Sequence, residues 1–291
     1  VKRPTSFEGF LEASSKFATT KGFTEGLAFQ PLPSDVFVSP YSKCGTTWMQ
    51  QIVHGLRTGG SMAFSEITEV VPWIEMAHDL GLDPNTPQPG NPRAYKSHLG
   101  WDEIPKGGKY IVVLRNPIDA FVSLYRFMEG WFFETGSVSL EEFAEYYLSR
   151  PDNESYWGHA ASWWGQRTNP DVRLFTFEQM KADLAPVVAD VAQFIGIDED
   201  EDLLALATKQ ASFAFMKENQ THFDDHFLRE RRDLACGLPA SSGVTKVNTG
   251  IVGTKADLIT PPLREAFDRK WNDTLGRSFG LACYEDMAKE L

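Results

Sequence analysis

Three cysteines, Cys44, Cys236 and Cys283, are all that 291 residues contain, and they lie far apart. So few thiols exclude a disulfide framework. Without a CxxC pair or a His/Cys cluster they also exclude a zinc site of the usual spacing, and no metal is expected. Cations are scarce too: 28 Lys and Arg against 40 Asp and Glu leave a formal net charge of -12. That balance predicts no nucleic-acid, heparin or anionic-membrane partner, because each needs a broad positive field. No apolar run approaches the ~18 residues of a membrane-spanning helix. Residues 1–9 lack a basic stretch leading into an apolar one, so no secretory signal is expected. A reduced, cytoplasmic setting is the expectation. Linkers rich in Gly, Ser or Pro, long charge blocks and internal repeats are all missing. A single domain over residues 1–291 follows, with about the first 30 residues peripheral.

What is present is an ordinary globular composition, 42% hydrophobic, with strand and helix signals in alternation. Asp35 to Ser39 reads as a strand, turning at Pro40–Gly45 into a helix that opens near Thr46. There Trp48, Met49, Ile52, Val53 and Leu56 recur at helical spacing. Tyr110 to Leu114 is a continuous apolar run, as in a strand covered on both faces, and Pro117 suits the first turn of a following helix. Arg173 to Phe177 reads as a third strand and Arg93 to Leu99 as a fourth. Ser139 and Glu142 form a capping-box pattern, and Thr260-Pro261 opens a helix carrying Leu263, Phe267, Trp271 and Leu275 on one stripe. The alternation predicts an α/β fold, a doubly wound, mostly parallel sheet flanked by helices. Ligands in such folds bind beyond the carboxyl ends of the strands, which directs attention to the exits at Tyr41 and Arg115.

The first exit reads Tyr41-Ser42-Lys43-Cys44-Gly45-Thr46-Thr47-Trp48. Gly45 permits a turn with inward backbone N–H groups, and the helix start adds unpaired donors, so the loop can hold a phosphate. It is not a Walker A loop: no lysine follows the glycine, and Lys43 lies upstream. A kinase acting on nucleoside triphosphates is disfavoured for that reason. The segment resembles the signature loop of the cytosolic sulfotransferases, Tyr-Pro-Lys-Ser-Gly-Thr-Thr-Trp, with Ser42 and Cys44 as the substitutions. The resemblance implies a P-loop-like fold and 3′-phosphoadenosine-5′-phosphosulfate (PAPS) as sulfonate donor to a hydroxyl of a small organic acceptor. It also implies metal-independent transfer. It places Lys43, Cys44, Gly45, Thr46 and Thr47 at the 5′-phosphosulfate and Trp48 at the adenine. Cys44, at a helix N-terminus beside Lys43, reads either as a thiol that ionises more easily than an ordinary one or as a buried, inert cysteine in place of the family's serine.

Arg115-Asn116-Pro117 through Ser123 is similar to the family's second nucleotide segment, which implies that Arg115 and Ser123 hold the 3′-phosphate. Tyr95-Lys96-Ser97-His98-Leu99 is similar to its Lys-Thr-His-Leu stretch, which makes His98 the general base and Lys96 a group that holds the sulfonate. Chemistry supports the base: a hydroxyl is a weak nucleophile at neutral pH, and an imidazole is suited to taking its proton. Phe213 is implied at the adenine pocket, and Phe177 stands where the family has a tyrosine that bonds the adenine edge. The family's Arg-Lys-Gly, a 3′-phosphate grip, becomes Asn248-Thr249-Gly250, which keeps the backbone approach of Gly250 but loses two cations. Weaker donor binding is expected unless Lys246, Arg231 or Arg232 compensates. Phe127, Trp131, Phe132 and Phe133 suggest an apolar acceptor cavity or, equally, a place in the core. The family's dimer motif is incomplete: Thr260 and Glu265 match, Ala256 and Pro261 do not. A homodimer by that route is doubtful.

Overall fold

The computed structural model describes residues 2–198, 200–240 and 258–291. Four parallel strands form the sheet: β1 (Val36–Val38), β2 (Ala94–Lys96), β3 (Lys109–Leu114) and β4 (Val172–Thr176), in the order β2-β1-β3-β4. Parallel neighbours require helical crossovers, and these cover both faces of the sheet. The alternation of side chains then explains the apolar run of β3: Tyr110, Val112 and Leu114 enter one core, Ile111 and Val113 the other. Helices Thr46–Arg57, Leu184–Ile195 and Glu201–Gln210 build the second core with Met49, Ile52, Val188 and Ala207. Helices Pro117–Trp131, Leu140–Ser149, Tyr156–Trp164 and Pro261–Trp271 build the first with Phe121, Phe143, Trp157 and Phe267.

The first thirty residues, expected at the periphery, contribute to that first core. Phe10, 2% exposed, packs edge-on against Phe133 at 5.5 Å and also meets Phe143. Phe132 and Phe133 are buried and pack against Phe10 of the helix Phe7–Ser15, which places them in the core. A buried aromatic cluster of this kind stabilises by burial and adds edge-on ring contacts of about 0.5–1.5 kcal/mol each.

β1 lies between β2 and β3, so the chain leaves β1 toward one side for β2 and returns on the other for β3. Such a reversal opens a crevice at the carboxyl ends of β1 and β3. The exits from those two strands are the loop 39–45 and Arg115. β4 ends a residue earlier than the sequence suggests. Thr176 accepts from the amide of Gln179, whose side chain accepts from the Thr176 amide, and this capping box makes Phe177 the first helical residue. Among the described residues, no helix is long and apolar enough to cross a membrane.

Candidate active site

The β1 loop is shaped by two left-handed residues, Lys43 at φ 66° and Gly45 at φ 107°. A side chain at Gly45 would be strained by that φ and would press on the Phe177 ring at 3.3 Å. Lys43 takes a conformation that non-glycine residues seldom adopt, a local cost of about 1–3 kcal/mol that clusters at functional sites. Gly45 is the N-cap of the helix Thr46–Arg57, and no side chain caps it. A helix start without a side-chain cap has the build of an anion-binding N-terminus.

Across the crevice, Arg115 reaches back and donates from Nη1 to the carbonyl of Lys43 at 2.9 Å. Its guanidinium lies 4.1 Å from the centre of the Phe177 ring, and Trp48 meets the same ring edge-on at 5.4 Å. Trp48 is tied down by its own N–H, which donates to Ala211 O at 2.7 Å. Tyr156 donates its hydroxyl to Arg115 O at 2.6 Å, fixing the strand exit from the other side. Two buried polar atoms here have no hydrogen-bond partner: Thr46 Oγ1 and Arg115 Nε. A hydroxyl and a guanidinium N–H left over beside an uncapped helix start match the donor set that a phosphate needs. These residues fit a nucleotide phosphate.

His98 follows β2 directly. Its Nδ1 lies 2.7 Å from the carbonyl of Pro40, in the β1 loop, and its backbone N–H donates to Glu75 Oε1 at 2.7 Å. A carbonyl only accepts, so Nδ1 carries the proton and Nε2 carries the lone pair, the tautomer that a base requires. The Pro40 carbonyl is itself held in place by its neighbour: Ser39 O lies 3.1 Å from His159 Nε2, and Ser39 Oγ donates to Leu99 O at 2.9 Å. Trp73 stands edge-on to the His98 ring at 5.1 Å and carries the Lys96 ammonium over its face at 3.8 Å. Lys43 places its ammonium over Phe127 at 4.0 Å, and Phe127 in turn meets Trp131. Ser123 lies one helical turn before Phe127, which puts both on one face of the helix Pro117–Trp131.

The structure therefore gathers Lys43, Gly45, Trp48, Arg115 and Phe177 into one contact network, with Thr46 next to Gly45 in the chain; His98 is joined to the β1 loop through Pro40 and Lys96 pairs with Val38 of β1. Thr47 follows Thr46 on the first turn. Phe213, 44% exposed, opens the short helix Phe213–Glu218 two residues after Ala211, the acceptor for Trp48. Gly250, Asn248, Thr249 and Lys246 lie outside the described residues, as does Ala256 of the dimer motif. Two readings need correction. Arg231 donates to Leu80 O and Phe227 O, and Arg232 to Phe17 O and Lys16 O, so neither guanidinium is spent on the Arg115 crevice. Cys44 is fully buried, and burial pushes its thiol up to about 12 against the pull of Arg115. Desolvation outweighs the helix N-terminus there and keeps the thiol protonated. Sequence reasoning missed Trp73, Glu75 and the carbonyl of Pro40, none of which has a motif of its own.

A second constellation has the distances of a nucleophile, base and orienting carboxylate: Ser65 Oγ to His226 Nε2 at 2.9 Å and His226 Nδ1 to Asp224 at 2.7 Å. The amides of Ser65 and Glu66, which would have to stabilise an oxyanion, both donate to the Glu69 carboxylate. Acyl transfer has no support there.

Comparison with known proteins agrees with this geometry. The family model for the sulfotransferase domain matches residues 33–279. Sulfotransferase 2A6 of Rattus norvegicus is 30% identical over 250 residues, 83% of this chain and 84% of its own, and Sulfotransferase 1C2 of Homo sapiens is 26% identical over 86% of each. Among solved structures, mouse sulfotransferase SULT7A1 complexed with PAP is similar at a TM-score of 0.67 and 21% identity, covering 94% of each chain. The crevice, the parallel sheet and the family match define a nucleotide-dependent group-transfer enzyme. The chain belongs to the sulfotransferase family.

Proposed function

We propose that this sulfotransferase takes the sulfonate of PAPS and passes it to a hydroxyl of a small organic acceptor, acting as a single catalytic domain. One observation carries the reading: Arg115 at the β3 exit donates to the main-chain carbonyl of Lys43 in the β1 loop, so a guanidinium and a helix start without a side-chain cap meet at the topological switch point. Phosphates on the 3′ and 5′ sides of one nucleoside suit those two exits. Bound PAPS supplies a sulfonate on a good leaving group.

His98 accepts the acceptor's proton at Nε2 while Nδ1–H stays on the Pro40 carbonyl. Lys43 offsets the negative charge that develops on the departing phosphate oxygen, and Lys96 holds the sulfonate oxygens. Thr46, Thr47 and the amides after Gly45 orient the 5′ end, whereas Arg115 and Ser123 take the 3′-phosphate. Cys44 contributes backbone from a buried position. The adenine rests among Trp48, Phe177 and Phe213. Phe177 lacks a hydroxyl and acts instead as the platform under Arg115. The aromatic faces of Phe127 and Trp73 beside the two lysines favour an acceptor with an apolar, flat body. Positioning and charge stabilisation supply most of the catalysis.

Transfer of radiolabelled sulfonate from PAPS to a panel of phenols, steroids and aliphatic alcohols tests the reading. The wild type should label at least one class. His98→Ala should lose about 100-fold or more in kcat, with binding of adenosine 3′,5′-bisphosphate retained. Near-normal turnover in that variant would remove His98 as the base.

A further inference from the structure

Glu75 is 6% exposed, belongs to no motif and touches the base. The segment 72–75 runs along the exit of β2 as an added rung: Lys96 N donates to Pro72 O at 2.8 Å and Ile74 N to Lys96 O at 3.0 Å. Ser97 N turns to the opposite side and donates to Val38 O. At the next residue but one the ladder has no main-chain acceptor left, and the Glu75 side chain takes the His98 N–H at 2.7 Å. An amide side chain would serve as well for that single bond. The carboxylate brings something more. Its other oxygen, Oε2, is buried too, and the Trp73 indole N–H helps to hold the carboxyl down. Burial pushes this carboxyl up, while the His98 amide and the Lys96 charge pull it back down. Lys96 is itself 5% exposed and sits on the Trp73 face. Two opposite charges, Glu75 and Lys96, are thus buried close enough to act on one another near the base.

We infer that Glu75 is a positioning residue for sulfonate transfer: its carboxylate holds the His98 main chain and balances the Lys96 ammonium, so that imidazole and ammonium face one reacting centre. The inference rests on the proposed role of His98. Lys96 is a charged neighbour of the carboxylate, and His98 meets it through the main-chain N–H; a negative charge close to that residue favours the imidazolium that forms during proton transfer.

Glu75→Gln keeps an acceptor for the amide and deletes the charge. The expected result is a loss of about tenfold or more in kcat, with KM for PAPS within about twofold of wild type. The imidazole titration of His98, followed by NMR in both proteins, should move to lower pH in the variant, because a cationic ring loses its negative neighbour. That readout does not depend on turnover, so it stands or falls separately from the assignment of the reaction. Coincident titration midpoints would overturn the inference and leave Glu75 as a ladder cap, as would an unchanged kcat. Should Glu75→Gln fail to fold, Glu75→Asp retains the charge but withdraws it from the amide. Faster exchange of the His98 N–H together with a reduced kcat would then support the inference, and wild-type kcat would contradict it.

Discussion

Cys44 shows how burial can reverse what a neighbour list suggests. A thiol at a helix start beside Lys43 reads as activated, yet its side chain is enclosed on every side and its ionisation is pushed up to about 12. At pH 8 it should resist iodoacetamide in the native protein and react only after unfolding, as followed by intact-mass spectrometry. Native labelling at the rate of an exposed thiol would contradict its placement. His98, by contrast, was legible from its company in the sequence, because Lys96 and the strand that follows set it apart from the other histidines. What fixes its tautomer is the carbonyl of Pro40, 58 residues away in the chain, and no spacing rule reveals that bond. The same holds for Glu75.

At the scale of elements, the short strands β1 and β2 hold the two halves of the site in register. Three paired residues do not secure such a contact alone. Arg93 reinforces it with two charge-assisted bonds to Asp35, at 2.8 and 2.5 Å, and Asp35 is wholly buried. Asp35→Ala should destabilise the protein by about 3–5 kcal/mol, seen as a lower midpoint in urea unfolding. A loss under about 1 kcal/mol would show that the pair contributes no more than a surface ion pair. Periodicity located all four strands, since Tyr110–Leu114 is apolar on both faces and Asp35–Ser39 is β-branched and aromatic. The end of β4 was less legible: Phe177 looks like strand sequence, and only the Thr176–Gln179 capping box moves it into the helix. The stripe from Leu263 to Leu275 reads as one helix but divides, with α-helix over Pro261–Trp271 and a wider turn over Asn272–Gly276.

For the molecule as a whole, buried histidines make stability depend on pH. His54 and His159 are each nearly inaccessible, and burial lowers them to about 4 and about 3. In the unfolded chain they titrate near 6.5, so below that pH the unfolded state binds protons that the folded state refuses, and stability falls as pH falls. Glu75 and Asp233, raised by burial, act in the opposite sense, so a comparison with a single variant isolates one histidine. Between pH 6.5 and 4.5, the unfolding free energy of the wild type should fall relative to His54→Gln by about 1.4 kcal/mol per pH unit. Parallel stability curves would refute the neutral, buried state of His54. The overall architecture was legible because a parallel sheet imposes its own sequence pattern. The partners of Arg231 and Arg232 were not, because a helix can present its guanidiniums to any carbonyl within reach, and here those belong to the N-terminal segment and to Leu80.

The central claim is that the β1 loop and Arg115 cradle a nucleoside bearing phosphates on both its 3′ and 5′ sides. Isothermal titration of adenosine 3′,5′-bisphosphate into the wild type and into Arg115→Met addresses it directly. The wild type should bind one equivalent, and the variant should bind about 10- to 100-fold more weakly, as expected when a charged hydrogen bond to phosphate is lost. Absence of heat with the wild type, or equal affinity in the two proteins, would contradict the account.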